Sequence, residues 1–251
     1  MHMRAQATYF LSLATFVALA MLSGACKALY APNMASTPLL RERGEVRATV
    51  DARNLQLAVA ASSHIGLMAN GYHRSEDNDP KPNEEKQHGE GDFIELGVGW
   101  FGTLPRLPAW LQAEVYAGAG AGKVSHDLTP AGGSTRHFEA ELTRVFVMPT
   151  VGYTHRYFDV ALSTRLVGVS YRSPQSSGYT DDAQLDGDGF AGIDRRTWYF
   201  VEPSVTVRAG YKWIKLQLQV GKSFLLTRAD LPHDSGMVTL GLNVDVFRLF
   251  D

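Results

Sequence analysis

A single cysteine, Cys26, closes the stretch Leu22-Ser23-Gly24-Ala25-Cys26. With no second cysteine it can form no disulfide within the chain, and it leaves no thiolate metal site. What precedes it gives the thiol another use. Arg4, the apolar run from Phe10 to Leu22 and the small residues Ser23-Gly24-Ala25 form the three regions of an export signal. The apolar run is shorter than the roughly 20 residues a spanning helix needs. Cleavage before Cys26 would place its thiol at a new N-terminus, where it can accept a lipid. Residues 1–25 therefore read as a signal peptide and Cys26 as the lipidation site. Ordinary cleavage with an incidental thiol and an uncleaved anchor are the alternatives.

Other residue groups invite chemistry and fit it poorly. The loop Asp181-Asp182-Ala183-Gln184-Leu185-Asp186-Gly187-Asp188-Gly189 has oxygen ligands around glycine, as a hard cation prefers. A helix-loop-helix calcium register using Asp186, Asp188 and Gly189, however, puts Gln184 first and Arg195 last. A solvated loop is the expectation. The eight histidines are dispersed, and no close pair has zinc spacing on one element. Ser63-His64 and Ser125-His126 pair a nucleophile type with a base type. Neighbours on a strand point to opposite faces, which argues against a working pair. Gly118-Ala119-Gly120-Ala121-Gly122-Lys123 lacks the Ser or Thr of a phosphate loop, since Val124 follows. Small residues there suit close packing in a barrel wall. No catalytic residue, metal ligand or cofactor is expected.

The elements that must position these groups follow a period of two. Ile214, Leu216, Leu218 and Val220 alternate with Lys215, Gln217, Gln219 and Gly221. Val238, Leu240, Leu242 and Val244 alternate likewise with polar or small residues. A strand puts such a set on one side, whereas a helix scatters it. Ten segments read as strands: 45–52, 55–61, 65–72, 92–101, 110–123, 137–153, 157–172, 196–211, 213–226 and 237–247. Alternation is weaker in the sixth and seventh, where a bulge would fit, and Pro149 and Pro203 interrupt strands. No helical stretch of useful length stands out.

After the second strand, connections alternate between short turns and the long polar stretches 73–91, 124–136, 173–195 and 227–236. Outer-membrane barrels have short periplasmic turns and long extracellular loops. The fold class predicted is thus all-β: a closed antiparallel up-and-down transmembrane β-barrel of about ten strands over 44–251. Residues 26–43, with Pro32 and Pro38 and no period, read as an extended lipidated tether. This topology expects a periplasmic N-terminus, held by a lipid in the inner leaflet. Aromatics gather at two levels, as at membrane interfaces. Trp100, Phe101, Trp110, Tyr153, Tyr157, Phe158, Tyr211, Trp213, Phe247 and Phe250 form one, and Tyr72, Phe93, Tyr171, Trp198 and Tyr199 the other. The polar faces turn Glu95, Glu114, Glu202, Arg208, Lys215, Gln217 and Gln219 into the lumen, with Gln112, Asn243 and Asp245. Ten strands give a narrow lumen, expected to be plugged and held by charge pairs.

The formal charge of -2, with Lys and Arg scattered, makes nucleic acid an unlikely partner. Cys26 and the residues before it are similar to a bacterial lipobox, with Ser23 where such motifs more often carry Leu. Cys26, Tyr30-Ala31-Pro32-Asn33, Pro38-Leu39-Leu40-Arg41-Glu42-Arg43-Gly44-Glu45 and His64-Ile65-Gly66-Leu67-Met68-Ala69-Asn70 resemble Bacteroidetes-type outer-membrane barrel lipoproteins, a poorly characterised family. Gly210-Tyr211-Lys212 and Leu216-Gln217-Leu218-Gln219 fit the same picture. The resemblance implies location and fold, with no activity to transfer. The expectation is a lipid-anchored outer-membrane protein, not an enzyme, with a structural or interaction role. Its partners would be outer-membrane lipids and an extracellular ligand at the loops. Three rivals remain: a narrow channel for small polar solutes, an outer-membrane lipid hydrolase (though no His-x-Ser-Asn signature occurs), and a soluble periplasmic barrel on a lipid tether.

Overall fold

The computed structural model describes residues 28–78, 80, 83–104, 108, 110–211 and 213–246. The signal segment, Cys26, Lys212, Phe247 and Phe250 lie outside them. The strands are β1 (Val46–Asp51), β2 (Asn54–Ala60), β3 (Ile65–Asp77), β4 (Lys86–Gly102), β5 (Leu111–Thr129) and β6 (Arg136–Thr154). They continue with β7 (Phe158–Ser177), β8 (Thr197–Tyr211), β9 (Ile214–Lys222), the two-residue β10 (Phe224–Leu225) and β11 (Gly236–Asp245). Neighbours pair antiparallel from β1 to β9, β9 pairs β11, and β11 pairs β1. The result is a closed ten-strand barrel, with β10 added to β8 at one rim. Closure removes every sheet edge, which a wall in hydrocarbon requires.

The side-chain alternation sets the two faces. Ile94 and Leu96 are 65% and 63% exposed, while Glu95 between them is 0% exposed. On β9, Leu216 faces out, and Lys215, Gln217 and Gln219 are buried. Ile214, Leu218 and Val244 lie in register on the outer face with Leu216 and Leu242. Aliphatic residues thus cover the outside and charges the inside.

The strands run further than expected at one end only. β3 and β4 continue into 73–91, and β5 and β7 into the next two long stretches. In these extensions the outward residues are polar: His73, Ser75, Asp77, Lys86 and Glu90 are all exposed. The ladder continues above the aliphatic band, where hydrophobic alternation no longer marks it. The wall is uneven, because β1 and β2 have 6 and 7 residues against 20 in β7. The expected irregularity between the sixth and seventh strands is a register shift between Glu139 and Glu141. Pro149 and Pro203 sit within β6 and β8 without ending them.

The aromatic levels divide differently from the expectation. Toward the short turns, Trp110, Tyr157, Phe158 and Tyr211 are exposed, and Trp100, Tyr153 and Trp213 half-buried. Phe101 turns inward against Leu40 and Ala60. At the opposite level only Tyr199 faces out. Phe93, Tyr171 and Trp198 are buried in an inner cluster with Phe138, Phe146, Phe200, Phe190 and Ile193, and Tyr72 packs against it. The loop-side half of the interior therefore holds an apolar cluster, beside the buried Arg74 and His126. That explains the weak alternation of β6, whose inner face there carries Phe138, Ala140, Leu142 and Phe146. A short helix, α1 (Asp182–Gly187), lies in the loop between β7 and β8.

Candidate functional site

The lumen is occupied by the chain's own N-terminal segment. Residues 28–40 form no helix or strand and, apart from the half-buried Ala31, are buried, with Met34, Leu39 and Leu40 at 0% exposure and Leu39 in the left-handed region at φ 53°. At the long-loop end, the Leu29 N–H donates to the Pro232 carbonyl at 2.9 Å, and Asp234 N–H donates to the Tyr30 carbonyl at 2.9 Å. Tyr171 donates its hydroxyl to the Leu29 carbonyl at 3.0 Å. At the short-turn end, Leu40 N–H donates to Glu114 Oε1 at 2.8 Å, and the Arg41 guanidinium donates to the Thr154 carbonyl at 2.8 Å. Gly44, with φ 88°, then turns the chain into β1. The segment read as a tether leading away from the barrel instead runs back through it.

An extended segment without a ladder leaves its backbone groups to be satisfied by something else. Lumen side chains do so. Arg165 donates to the Asn33 carbonyl at 2.9 Å. Met34 N–H donates to Asn54 Oδ1 at 3.2 Å, and Gln56 donates to the Met34 carbonyl at 2.7 Å. Ala35 exchanges two bonds with Gln219, and Arg208 donates to the Thr37 carbonyl at 2.6 Å. Pro32 and Pro38 hold φ in the extended range and remove two N–H groups the lumen would otherwise have to bind. The foot of the segment is wedged by close contacts. A Cβ on Gly152 would lie 2.6 Å from Leu39 Cδ2, and one on Gly66 would lie 3.0 Å from Leu40 Cδ1.

Two charge networks flank this backbone. Halfway up, Glu95 pairs with Arg144 and accepts from Asn70 at 2.6 Å. Glu202 pairs with Arg165 at 2.7 Å and accepts the Tyr30 hydroxyl at 2.7 Å. Arg144 also donates to Asn33 Oδ1 at 2.7 Å. Nearer the short turns, Asp159 meets Lys215 at 2.6 Å, Arg47 at 3.7 Å and Arg208 at 4.0 Å. Arg47 also pairs with Glu45 at 2.6 Å and Asp245 at 3.5 Å. All seven residues that the strand pattern turned inward are buried here, from Glu95 and Gln219 at 0% to Lys215 at 8%. Gln112, Asn243 and Asp245 join them.

Arg47, Arg144, Arg165 and Asp159 were missed. Arg144 shares its face with Leu142 and Phe146, so its phase reads as apolar. Arg165 sits in β7, where the inner face above it is Val167, Val169 and Tyr171. The available signal was a strand phase that admits one charge among large apolar residues. Chemically, the arrangement binds an extended peptide backbone, and its charges are spent on one another.

At the loop end, His126 is buried and its ring lies 5.6 Å from Phe190. Burial, joined by the nearby Arg74 charge, pushes His126 down to about 4. Burial and Asp188 push the Tyr179 hydroxyl up to about 12. In the acidic loop, Asp181 caps α1 by accepting from Gln184 N–H at 2.9 Å, and Asp188 meets Arg136 at 3.4 Å. Those two carboxylates are thus engaged in holding the cap. Ser125 and His126 face opposite sides of β5. In the Gly118–Gly122 stretch, glycines make room for Phe146 over Gly118 and Phe93 over Gly120, where a Cβ would lie 2.6 and 2.4 Å from the rings. Outside the wall, strand register brings His73, Glu90 and Asp92 together, with possible ligand atoms within 4.8 Å of one another. All three are exposed, and His73 already hydrogen-bonds Asp92 at 2.8 Å.

A closed antiparallel barrel with an aliphatic outer wall and a charged lumen is an outer-membrane-type β-barrel. Among solved structures, the crystal structure of Acinetobacter baumannii CarO matches over 84% of this chain and 100% of that one, at 12% identity and a TM-score of 0.30. That likeness is too distant to carry an inference, and the class rests on the strand pairing and the two faces. No protein-family model matches the chain, and no curated protein matches it.

Proposed function

We propose that this protein is a lipid-anchored outer-membrane β-barrel with a structural or interaction role, neither an enzyme nor an open pore. The observation that carries this reading is the filled lumen: residues 28–40 cross it, and the surrounding charges pair with one another or with that segment. The aliphatic outer wall favours membrane lipid as its surroundings. The described residues of the loops 83–85, 130–135, 178–196 and 226–235 gather at one end, and loops on a rigid scaffold are where ligands bind. With the short turns periplasmic, these loops face outward and would meet an extracellular ligand. Lipidation of Cys26, which lies outside the described residues, is part of this reading, as is kinship with the Bacteroidetes-type lipoproteins.

Planar bilayers test the closed lumen: purified protein should insert without conductance steps. A stable, reproducible conductance from the wild type would overturn the reading and favour a solute channel, since residues 28–40 would have to leave. Labelled palmitate tests the anchor. The wild type should incorporate it and Cys26→Ser should not. Removal of the acyl chains should leave the protein detergent-requiring; release into buffer would mean a soluble barrel on a tether.

A further inference from the structure

The strand topology alone puts the start of β1 at the short-turn end, and a tether there would stay on that side. The lumen segment reverses this. It reaches the short turns at Leu40 and the loop end at Leu29, where Pro232, Asp234 and Tyr171 hold it. The ten steps of chain from Tyr30 to Leu40 can reach at most about 35 Å, enough to cross an apolar band of about 25 Å. The grips at residues 33, 34, 35 and 37 fall on backbone atoms. Such grips fix a path and a direction. β1 follows directly from the turn at 41–44 and pairs with the last strand, β11.

We propose that residues 28–40 are a strap through the barrel that delivers the N-terminal end of the mature chain to the face bearing the long loops. The N-terminus and the loops then share one side of the membrane, and the short turns occupy the other. A residue two positions before Ala28 can lie no further than about 7 Å from it. If Cys26 is acylated, its lipid enters the leaflet at the loop face, not the inner leaflet. That consequence rests on the lipidation proposed above; the strap does not.

Three epitope insertions in the full chain test it: between Lys27 and Ala28, at Gly132-Gly133 in the β5–β6 loop, and at Ser62-Ser63 in a short turn. Antibody binding is read on intact cells and again after permeabilisation. The N-terminal and Gly132-Gly133 epitopes should bind on intact cells, and the Ser62-Ser63 epitope only after permeabilisation. An N-terminal epitope that behaves like Ser62-Ser63 overturns the strap. If the first two appear only after permeabilisation while the Ser62-Ser63 epitope binds on intact cells, the strap stands and the outward-facing loops fall. Palmitate labelling of the same cells is scored separately: no label with both epitopes on the loop side removes the anchor and keeps the strap.

A second measurement avoids insertions. Tyr30 and His233 form a parallel bridge at the loop end. In a Cys26→Ser background, Tyr30→Cys with His233→Cys should crosslink on oxidation, and Tyr30→Cys with Ser62→Cys should not. The reverse pattern overturns the proposal.

Discussion

Gln219 and Ala35 exchange two hydrogen bonds: the Ala35 N–H donates to Gln219 Oε1 at 2.7 Å, and Gln219 Nε2 donates to the Ala35 carbonyl at 3.0 Å. A side-chain carboxamide here stands in for the neighbouring strand that the segment lacks. The same Nε2 donates to Thr206 Oγ1 at 2.6 Å, which fixes the amide's orientation. Any residue but proline at position 35 would offer the same two groups.

Gln219→Leu removes both bonds and strands two buried backbone groups. Each unsatisfied group costs about 1–3 kcal/mol, so the variant should unfold at clearly lower denaturant. Gln219→Glu keeps the acceptor and should fall between. Identical midpoints for Gln219→Leu and the wild type would show that the segment is not held in this way.

The Arg144–Glu95 pair is buried, with both side chains nearly inaccessible. Arg144→Met leaves Glu95 with only Arg165, 3.8 Å away, as a cationic partner. Breaking such a pair from one side costs about 3–5 kcal/mol. Adding Glu95→Gln should restore much of that loss. A double-mutant cycle from equilibrium unfolding measures it, and simple additivity would count against a coupled pair.

Leu216 and Leu242 are cross-strand partners on the outer face of β9 and β11. Either one changed to Arg should cost about 2–4 kcal/mol at mid-membrane depth. Both together should cost more than the sum, because like charges face each other directly. Folded yield in bilayers, read by heat-modifiable gel migration, checks this. Wild-type yields for the single variants would mean this face does not meet lipid.

His126 gives the loop end a pH dependence. An unfolded ring protonates near pH 6.5, but burial and Arg74 delay this in the folded cap to about 4, with the Ala28 backbone and Asp127 partly opposing. Stability is therefore complete above about pH 6.5 and is lost as pH falls toward about 4. Hydrogen exchange of residues 186–195 should accelerate across that window. In His126→Phe it should stay flat; an unchanged pH profile in that variant would assign the effect to another group.

The period of two in the sequence was enough to determine the wall: ten strands, their faces, the side on which long loops gather, and the seven polar residues turned inward. It worked because each strand samples two environments in turn. It failed where that contrast vanished. Beyond the aliphatic band both faces of the ladder extensions are partly polar, and midway along β6 Phe146 and Met148 face in while Val145 and Val147 face out, so strand ends, the inward Phe93, Tyr171 and Trp198, and Arg144 were misplaced or missed. Residues 28–40 have no period at all, because they pair with no strand. Their partners lie 20 positions away for Met34 and Asn54 and 184 for Ala35 and Gln219. Local pattern cannot encode such contacts; only closing the barrel decided that this stretch fills it, and toward which end it points.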